Sequence, residues 1–321
     1  MARGRKKKQK RHPVLAAVIV LLLGLAGYGA GQSGDFITVS TGSGTSTAVT
    51  EELTVHFIDV GQGDCTLITQ GDHAMLIDAG DNTEGENVVS YLDYMGVDEL
   101  DYLVLTHPDA DHIGGADVVL YHIDCETVLA PDREADTKSW SDVVEAMSGK
   151  GLEAVHPQPG DSYALGEASF TVLGPLQDYD DSNDCSIVLR LTHGDNAFLF
   201  TGDAEEGAEA DILASGYTLS ADVLKVGHHG SRSSTGDEFL AAVSPSCAVI
   251  SCGEENDYGH PHAATLNKLR ASGVSLYRTD EQGTITVTSD GSSLVWNTSP
   301  SESWQAGERS AHSNFFSQIR Q

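Results

Sequence analysis

The sequence predicts an α/β fold (α+β by some schemes), with two β-sheets packed face to face and helices on the outside. Three observations predict it. Apolar runs of strand length alternate with Gly-rich turns and with runs of helical period. Each half of the chain opens on hairpin strands and continues into helices, the pattern of layered sheets covered on their outer faces. Asp and His residues gather directly after strands, where a sheet scaffold holds the loops that build a site.

Before the first strand the chain is unlike a domain. The chain has 321 residues and a formal net charge of -30, but seven of its 18 Lys and Arg precede Pro13. That leaves 18 − 7 = 11 basic residues against 48 acidic ones. Residues 1–13 read as a basic cytoplasmic tail, and the uncharged run 14–30 as a transmembrane anchor or signal segment. As a helix the run would rise roughly 25 Å, just short of a bilayer core. An uncleaved single-pass anchor is favoured over a cleaved signal peptide, because the run is long for a signal core and no A-x-A site follows. The bulk of the chain is then expected outside the cytoplasm, or secreted if the segment is cut. Residues 31–52, rich in Gly, Ser and Thr, read as a flexible linker.

The strands follow. LTVHFID (53–59), CTLIT (65–69) and AMLIDAG (74–80) read as consecutive hairpin strands. Val88, Val89, Leu92 and Met95 fall on one face of a helix that ends at Gly96. A buried strand at 103–105 comes next, then a helix from 115 to 120, a strand at 127–130 and a helix at 140–149. The second half predicts strands at 169–173, 187–191, 197–201, 223–226 and 248–251, and helices at 205–214, 237–243 and 263–272. Strands at 284–289 and 293–296 close a domain spanning 53–296, and the polar tail 297–321 is expected to fray.

Composition excludes some functions. So acidic a body does not suit tight, non-specific duplex DNA binding, which needs Lys and Arg on phosphates. A polyanionic substrate requires local positive charge, which bound metal ions supply. The five cysteines have neither CxxC nor zinc-ribbon spacing and sit mostly in apolar runs, which argues against a disulfide framework. Cys247 and Cys252 are the one pair near enough in sequence to consider.

The loop LVLTHPDADHIGG (103–115) holds the densest chemistry. It delivers His107, Asp109, Asp111 and His112, four candidate ligands within six residues, just after a strand end. Imidazole and carboxylate together suit zinc, manganese or iron, and adjacent ligands pointing to different sides can feed two ions. Helix capping alone would need one such residue, not four. Further candidates stand after strands: Asp203 in FLFTGD, His228 and His229 in LKVGHHGS, His260 and His262 in YGHPH. An isolated Asp after Gly is commonly a turn residue, so these gain force only as a shared site.

The order HxDxDH, TGD, HHGS, YGHPH resembles the metallo-β-lactamase fold superfamily. Within it the chain is similar to the extracytoplasmic hydrolase domain of the DNA-uptake protein ComEC and its stand-alone relatives. FIDVGQGDCTLI (57–68), LIDAG (76–80), THPDADHIGG, LKVGHHGSRSST and YRTDEQGTI (277–285) carry that similarity. The resemblance implies a four-layer αββα sandwich and two divalent ions, zinc or else manganese. It implies His107 and Asp109 on the first metal, Asp111, His112 and His228 on the second, and Asp203 bridging them. Asp78 is expected to steady the ligands from behind, and His229 to face substrate, with the roles of His228 and His229 open to exchange. The superfamily's usual second His is Asp109 here. The usual central His is replaced by DSNDCS (181–186), where Asn183 or Asp184 stands in.

These readings imply hydrolysis by a metal-activated hydroxide at the paired ions, in which Asp111 shares. Lys225, His229, His260 and His262 are the candidates for stabilising developing charge and delivering a proton. The leading expectation is a membrane-anchored phosphodiesterase or nuclease, with single-stranded DNA the first substrate considered. The alternatives are a hydrolase of another ester or amide, such as a lactone or β-lactam, and a non-catalytic surface-binding protein on the same scaffold.

Overall fold

The computed structural model describes residues 50–308. The expected basic tail, the anchor at 14–30, most of the linker and the chain after 308 lie outside the described residues. Among the described residues, no helix is long and apolar enough to cross a membrane.

The first six strands build one sheet. β1 (Leu53–Phe57), β2 (Thr66–Gln70) and β3 (His73–Ile77) form an antiparallel meander, and β4 (Glu99–Val104), β5 (Asp124–Leu129) and β6 (Ala154–Val155) continue it in parallel. The second sheet takes β7 (Ser162–Leu165), β8 (Ala168–Gly174), β9 (Val188–His193) and β10 (Asn196–Phe200) antiparallel. It then adds β11 (Val223–Lys225), β12 (Cys247–Ile250) and β13 (Ser275–Arg278) in parallel. β14 (Ile285–Ser289) returns to pair with β1, and β15 (Leu294–Trp296) closes that edge. The strand orders are β15-β14-β1-β2-β3-β4-β5-β6 and β13-β12-β11-β10-β9-β8-β7.

Three apolar layers follow from the period of two along each strand. In β1, Leu53, Val55 and Phe57 face the second sheet, meeting Phe170, Phe198 and Phe200 between the sheets. From neighbouring β2 and β3, Leu67 and Leu76 point the other way, onto α1 (Gly85–Met95), which presents Val88, Val89 and Leu92. α2 (Ala110–Ile113), α3 (Ala116–His122) and α4 (Lys138–Lys150) lie on that same side. α5 (Glu206–Ser215), α6 (Asp237–Val243) and α7 (Ala263–Ser272) cover the outer face of the second sheet through Ile212, Leu240 and Leu269, and the short α8 (Thr279–Gln282) follows β13. The result is the expected helix–sheet–sheet–helix sandwich.

Three features differ from the sequence reading. The metal-ligand loop contains the helical turn α2, because Asp109 sits extended at its start and the backbone amides of His112 and Ile113 bond back to the Asp109 carbonyl. β7 and β13 form at edges where the apolar signal is short. The segment 297–308, expected to fray, packs instead. Trp304 rests against the outer core beneath Arg270, Arg278 donates to the Gln305 carbonyl at 2.6 Å, and the Gly307 amide reaches the Pro261 carbonyl at 2.9 Å. All five cysteines are free, so Cys247 and Cys252 are not bridged.

One buried polar group of β1 gives a stability test. His56 is buried, with Nδ1 2.9 Å from the Tyr91 hydroxyl and Nε2 unpartnered. Burial holds its pKa at about 4. Between that value and the ordinary 6.5 the unfolded chain binds the proton and the folded chain does not, so stability is lost as pH falls. Urea unfolding should show His56 alone removing about 2 kcal/mol between pH 7 and pH 5. The variant His56→Gln should lack that share of the loss.

Candidate metal centre

The site gathers where strands end. β3 runs into Asp78, β4 into His107–His112, β10 into Asp203, and β11 into His228 and His229. The backbone there is shaped to bring them close. Asp78, His228 and His229 all have positive φ (58°, 49° and 52°), a conformation costing roughly 1–3 kcal/mol per residue that clusters at functional sites. The His228–His229 corner is held by the His228 amide on the Gly202 carbonyl at 3.1 Å and by the Ser231 amide on the His228 carbonyl at 2.7 Å. Gly63 lets the turn after β1 lie against the ligand loop: a Cβ there would stand 2.4 Å from the Asp111 carbonyl oxygen.

His107, His112, Asp203 and His229 are almost wholly buried and close together. The His107 and His112 rings are 4.1 Å apart, and those of His112 and His229 5.1 Å. Asp203 is central: Oδ1 is 3.2 Å from His112 Nε2, and Oδ2 is 3.5 Å from both His228 Nε2 and His229 Nε2. Asp111 Oδ2 is 3.4 Å from His229 Nε2. Asp109 stands at the rim with Oδ2 3.9 Å from His107 Nε2, while Ser182 donates to its other oxygen at 2.9 Å.

The outer nitrogens of these rings are all engaged. His112 Nδ1 lies 2.8 Å from Asp78 Oδ2, and Asp78 is itself fixed by the Thr106 amide and hydroxyl at 2.8 and 2.7 Å. His229 Nδ1 lies 3.0 Å from the Ser251 carbonyl and 3.2 Å from Asp64 Oδ1. His107 Nδ1 faces the hydroxyls of Thr106 and Ser186 at 3.2 and 3.3 Å. With Nδ1 engaged, each ring turns Nε2 inward, the atom that binds a metal once its proton is displaced.

Among the described residues, no group pairs with those inward atoms. His107 Nε2, His112 Nε2, His229 Nε2 and Asp203 Oδ1 are buried and make no hydrogen bond. His112 Nε2 and Asp203 Oδ1 are close enough for one but lack its geometry, as two ligands flanking a common point do. An unmade buried hydrogen bond costs about 1–3 kcal/mol per group, and four side by side require a shared partner. Imidazole nitrogens plus carboxylate oxygens are the donor set of zinc, manganese or iron. The residues therefore fit a divalent ion.

Electrostatics agree. Burial opposes a charged His229, yet the Asp203 and Asp64 carboxylates raise it to about 10. Burial likewise opposes a charged His112, and Asp203 and Asp78 overcome it, lifting the ring well above its ordinary value. Asp203 is held well below the carboxylate range, against its burial, by His112 and His229. Asp111 falls to about 2, with burial opposed by His229 and His112. His107 is lowered by burial and by His112 beside it. The pocket draws in positive charge, as protons or as metal.

Several expected roles change. His229, expected to face substrate, is the buried ring whose Nε2 joins the cluster, whereas His228 is 21% exposed at the rim with Nδ1 3.0 Å from Glu205 Oε1. The left-handed corner turns the second ring inward and leaves the first at the rim. Lys225, expected to stabilise substrate charge, is instead buried and paired with Asp64 at 2.7 Å and the Val226 carbonyl at 3.1 Å, and it is not on the cleft lining. Asp184 does not turn to the cluster; it accepts from the Glu205 and Ala208 amides at 2.9 and 3.3 Å and caps α5. Asn183 lines the cleft, but the DSNDCS segment reaches His107 and the Asp203 amide through Ser186. Asp78 stands behind His112 as expected. His260 is nearly buried with Nδ1 unpartnered, and burial, then His229 and His228, lower it to about 3, so it is a neutral ring. His262 lies further out, accepting the Arg232 amide at 3.1 Å.

The resemblance suggests that Asp59, Gln62 and Asp64 of DVGQGD support the site; Glu205 and Ser186 are the partners that sequence reasoning missed. One ligand atom each from Asp64, His112, Asp203 and His229 lie within 4.8 Å of one another. Asp64 Oδ2 is paired with Lys225 at 2.7 Å, while Oδ1 is buried without a hydrogen bond 3.2 Å from His229 Nδ1. The DVGQGD turn was the signal for Asp64 and Gln62, because its glycines allow the close approach.

Asp78→Ala removes the acceptor that orients His112. Metal affinity, measured by competition with a chromogenic chelator, should fall about 10–100-fold, with His107 and His229 still in place.

A cleft of about 220 Å³ opens over the cluster, lined by Gln62, Asp109, Asp111, Asn183, Asp203 and the rim residues His228, Tyr258 and His260. The last three also line an outer groove of about 460 Å³ that contains Arg232 and His262.

Comparison with known proteins places these features in context. Residues 58–254 match the family model described as Metallo-beta-lactamase superfamily. The chain is 34% identical over 256 residues to ComE operon protein 3 of Bacillus subtilis, covering 74% of this chain and 33% of that protein. It is 33% identical over 237 residues to competence protein ComA of Neisseria gonorrhoeae, covering 73% of this chain and 32% of that protein. It is 30% identical over 241 residues to recombination protein 2 of Haemophilus influenzae, covering 73% and 28%. The chain spans about a third of the length of the curated relatives it matches.

Proposed function

Because the chain belongs to the metallo-β-lactamase superfamily and is a metal-dependent hydrolase, we propose that its substrate is a phosphodiester and that it is a nuclease acting on single strands. The observation that carries the reading is the set of four buried, unpartnered nitrogen and oxygen atoms at the floor of an open cleft. His107 and Asp109 would hold one ion, Asp111, His112 and His229 a second, and Asp203 would stand between them. Divalent ions supply Lewis acidity and acidify a bound water toward neutral pH.

The chain's own residues do the rest. Asp78 and Ser251 fix the ligand rings. His260, a neutral ring on the cleft lining, would offer one N–H to substrate. Tyr258 is 54% exposed and stacked at 18° on His260 beside the cleft. An exposed aromatic next to a hydrolytic centre suits an unstacked base, a contact worth about 1–3 kcal/mol. Competence and recombination, the processes in two of the relatives' names, favour a DNA substrate. The apolar run 14–30 after a basic cluster supports placement at the membrane with the hydrolase outside the cytoplasm.

The test is turnover of bis(p-nitrophenyl) phosphate and of a single-stranded oligonucleotide by the purified full chain. Activity should disappear with chelator and return with zinc or manganese. A metal-loaded protein that cleaves lactones or β-lactams and no phosphodiester would overturn the proposal, as would one that cleaves nothing.

A further inference from the structure

The cleft lacks the cation that phosphoryl transfer calls for. Among the described residues its lining contains no Lys or Arg; Arg232 stands in the adjoining outer groove, and Lys225, the basic residue just behind the cleft, is paired with Asp64. On the cleft floor, charge developing on a phosphoryl oxygen away from the metals needs a neutral donor.

Gln62 supplies one. It stands at the tip of the DVGQGD turn and lines the cleft with Asp109, Asp111, Asp203 and His229. Its Nε2 is buried and makes no hydrogen bond. The amide is not free to turn over, because Oε1 accepts the Gly253 backbone amide at 3.3 Å, which leaves the NH2 end as the unpartnered one. The turn itself is built to hold that position. Asp59 accepts the Gly61 amide at 3.1 Å, Thr284 accepts the Asp59 amide at 3.0 Å, and the Asp64 amide bonds to the Asp111 carbonyl at 3.1 Å. On the far side, a Cβ on Gly253 would lie 2.7 Å from the Gln62 backbone nitrogen, so glycine is what lets the loop after β12 close against the turn. Two loops are thus locked together with one amide donor buried between them and the cleft. A buried donor left without an acceptor costs about 1–3 kcal/mol in the free protein. An anionic oxygen in the cleft would offset that cost.

We propose that Gln62 is a catalytic residue whose Nε2–H donates to a non-bridging phosphoryl oxygen, binding it in the ground state and more strongly as charge builds during hydrolysis. This rests on the phosphodiester reading above and adds a named group to it. Gly253 is its positioning residue.

The test uses full-length, metal-loaded protein and inorganic phosphate as probe, with metal content and thermal midpoint measured alongside. Gln62→Ala and the near-isosteric Gln62→Glu, which keeps an oxygen for Gly253 but loses the NH2, should each weaken phosphate binding at least about 10-fold, the loss expected for a hydrogen bond to a charged group. Their kcat on bis(p-nitrophenyl) phosphate should fall about 100- to 1,000-fold, with metal content unchanged. Gln62→Asn should recover part of the phosphate affinity. Wild-type phosphate affinity in Gln62→Ala and Gln62→Glu would overturn the inference, as would wild-type kcat in either. An inert wild type would instead overturn the phosphodiester reading, and phosphate binding would still decide whether Gln62 is the donor.

Discussion

Asp203→Asn is expected to abolish both metal retention and hydrolysis while leaving the fold intact. Asp203 is the carboxylate that His112, His228 and His229 all approach within 3.5 Å, and asparagine keeps its shape but removes its charge. Disturbing the residues behind ligands alone costs about 10–100-fold in metal affinity or activity; losing the shared ligand should cost more than about 100-fold. The amide of residue 203 still donates to Ser186, so the turn after β10 should survive, and circular dichroism should be unchanged. The same pocket makes a statement about protons. In metal-free protein at pH 7.5, His112 and His229 hold their protons, because Asp203, Asp78 and Asp64 lift both rings above their ordinary value. Metal uptake must displace them. Calorimetry in buffers of different ionisation enthalpy should detect proton release at that pH, and metal affinity should rise with pH. Asp203→Asn should lose this coupling together with the metal.

The second large effect separates two adjacent histidines. His229→Ala should lose bound metal and more than about 100-fold of activity, as removal of a ligand exceeds the cost of disturbing its support. His228→Ala should keep its metal and fail, if at all, in substrate handling, because that ring sits at the rim against Glu205. Metal analysis of the two purified variants decides between them. Metal lost from His228→Ala and kept by His229→Ala would reverse the assignment.

The contrast shows what the sequence makes legible. HPDADHIGG announced itself because four ligand types crowd one loop after an apolar strand, and the period-two strands exposed both sheets. Which of two neighbouring histidines turns inward depends on backbone dihedrals, and both adopt a left-handed conformation that no local composition requires of histidine. Lys225 read as a substrate contact because a lysine near a candidate site invites that role; the pairing that occupies it comes from Asp64, 161 residues earlier. Asp184 and Ser186 lie two residues apart, and only tertiary packing sends the first to the start of α5 and the second to His107. The segment 297–308 looked like a tail because its anchors, Trp304 and the backbone at Gln305 and Gly307, dock on distant surface instead of forming a periodic element.

The most direct test of the central claim is anomalous X-ray scattering from a crystal of the full-length protein grown with zinc or manganese, recorded at the metal's absorption edge. Density bonded to His112 Nε2, His229 Nε2 and Asp203 is expected, with a second peak beside His107 Nε2 and Asp109. Metal found only elsewhere, or these nitrogens bonded to protein groups instead, would contradict the claim.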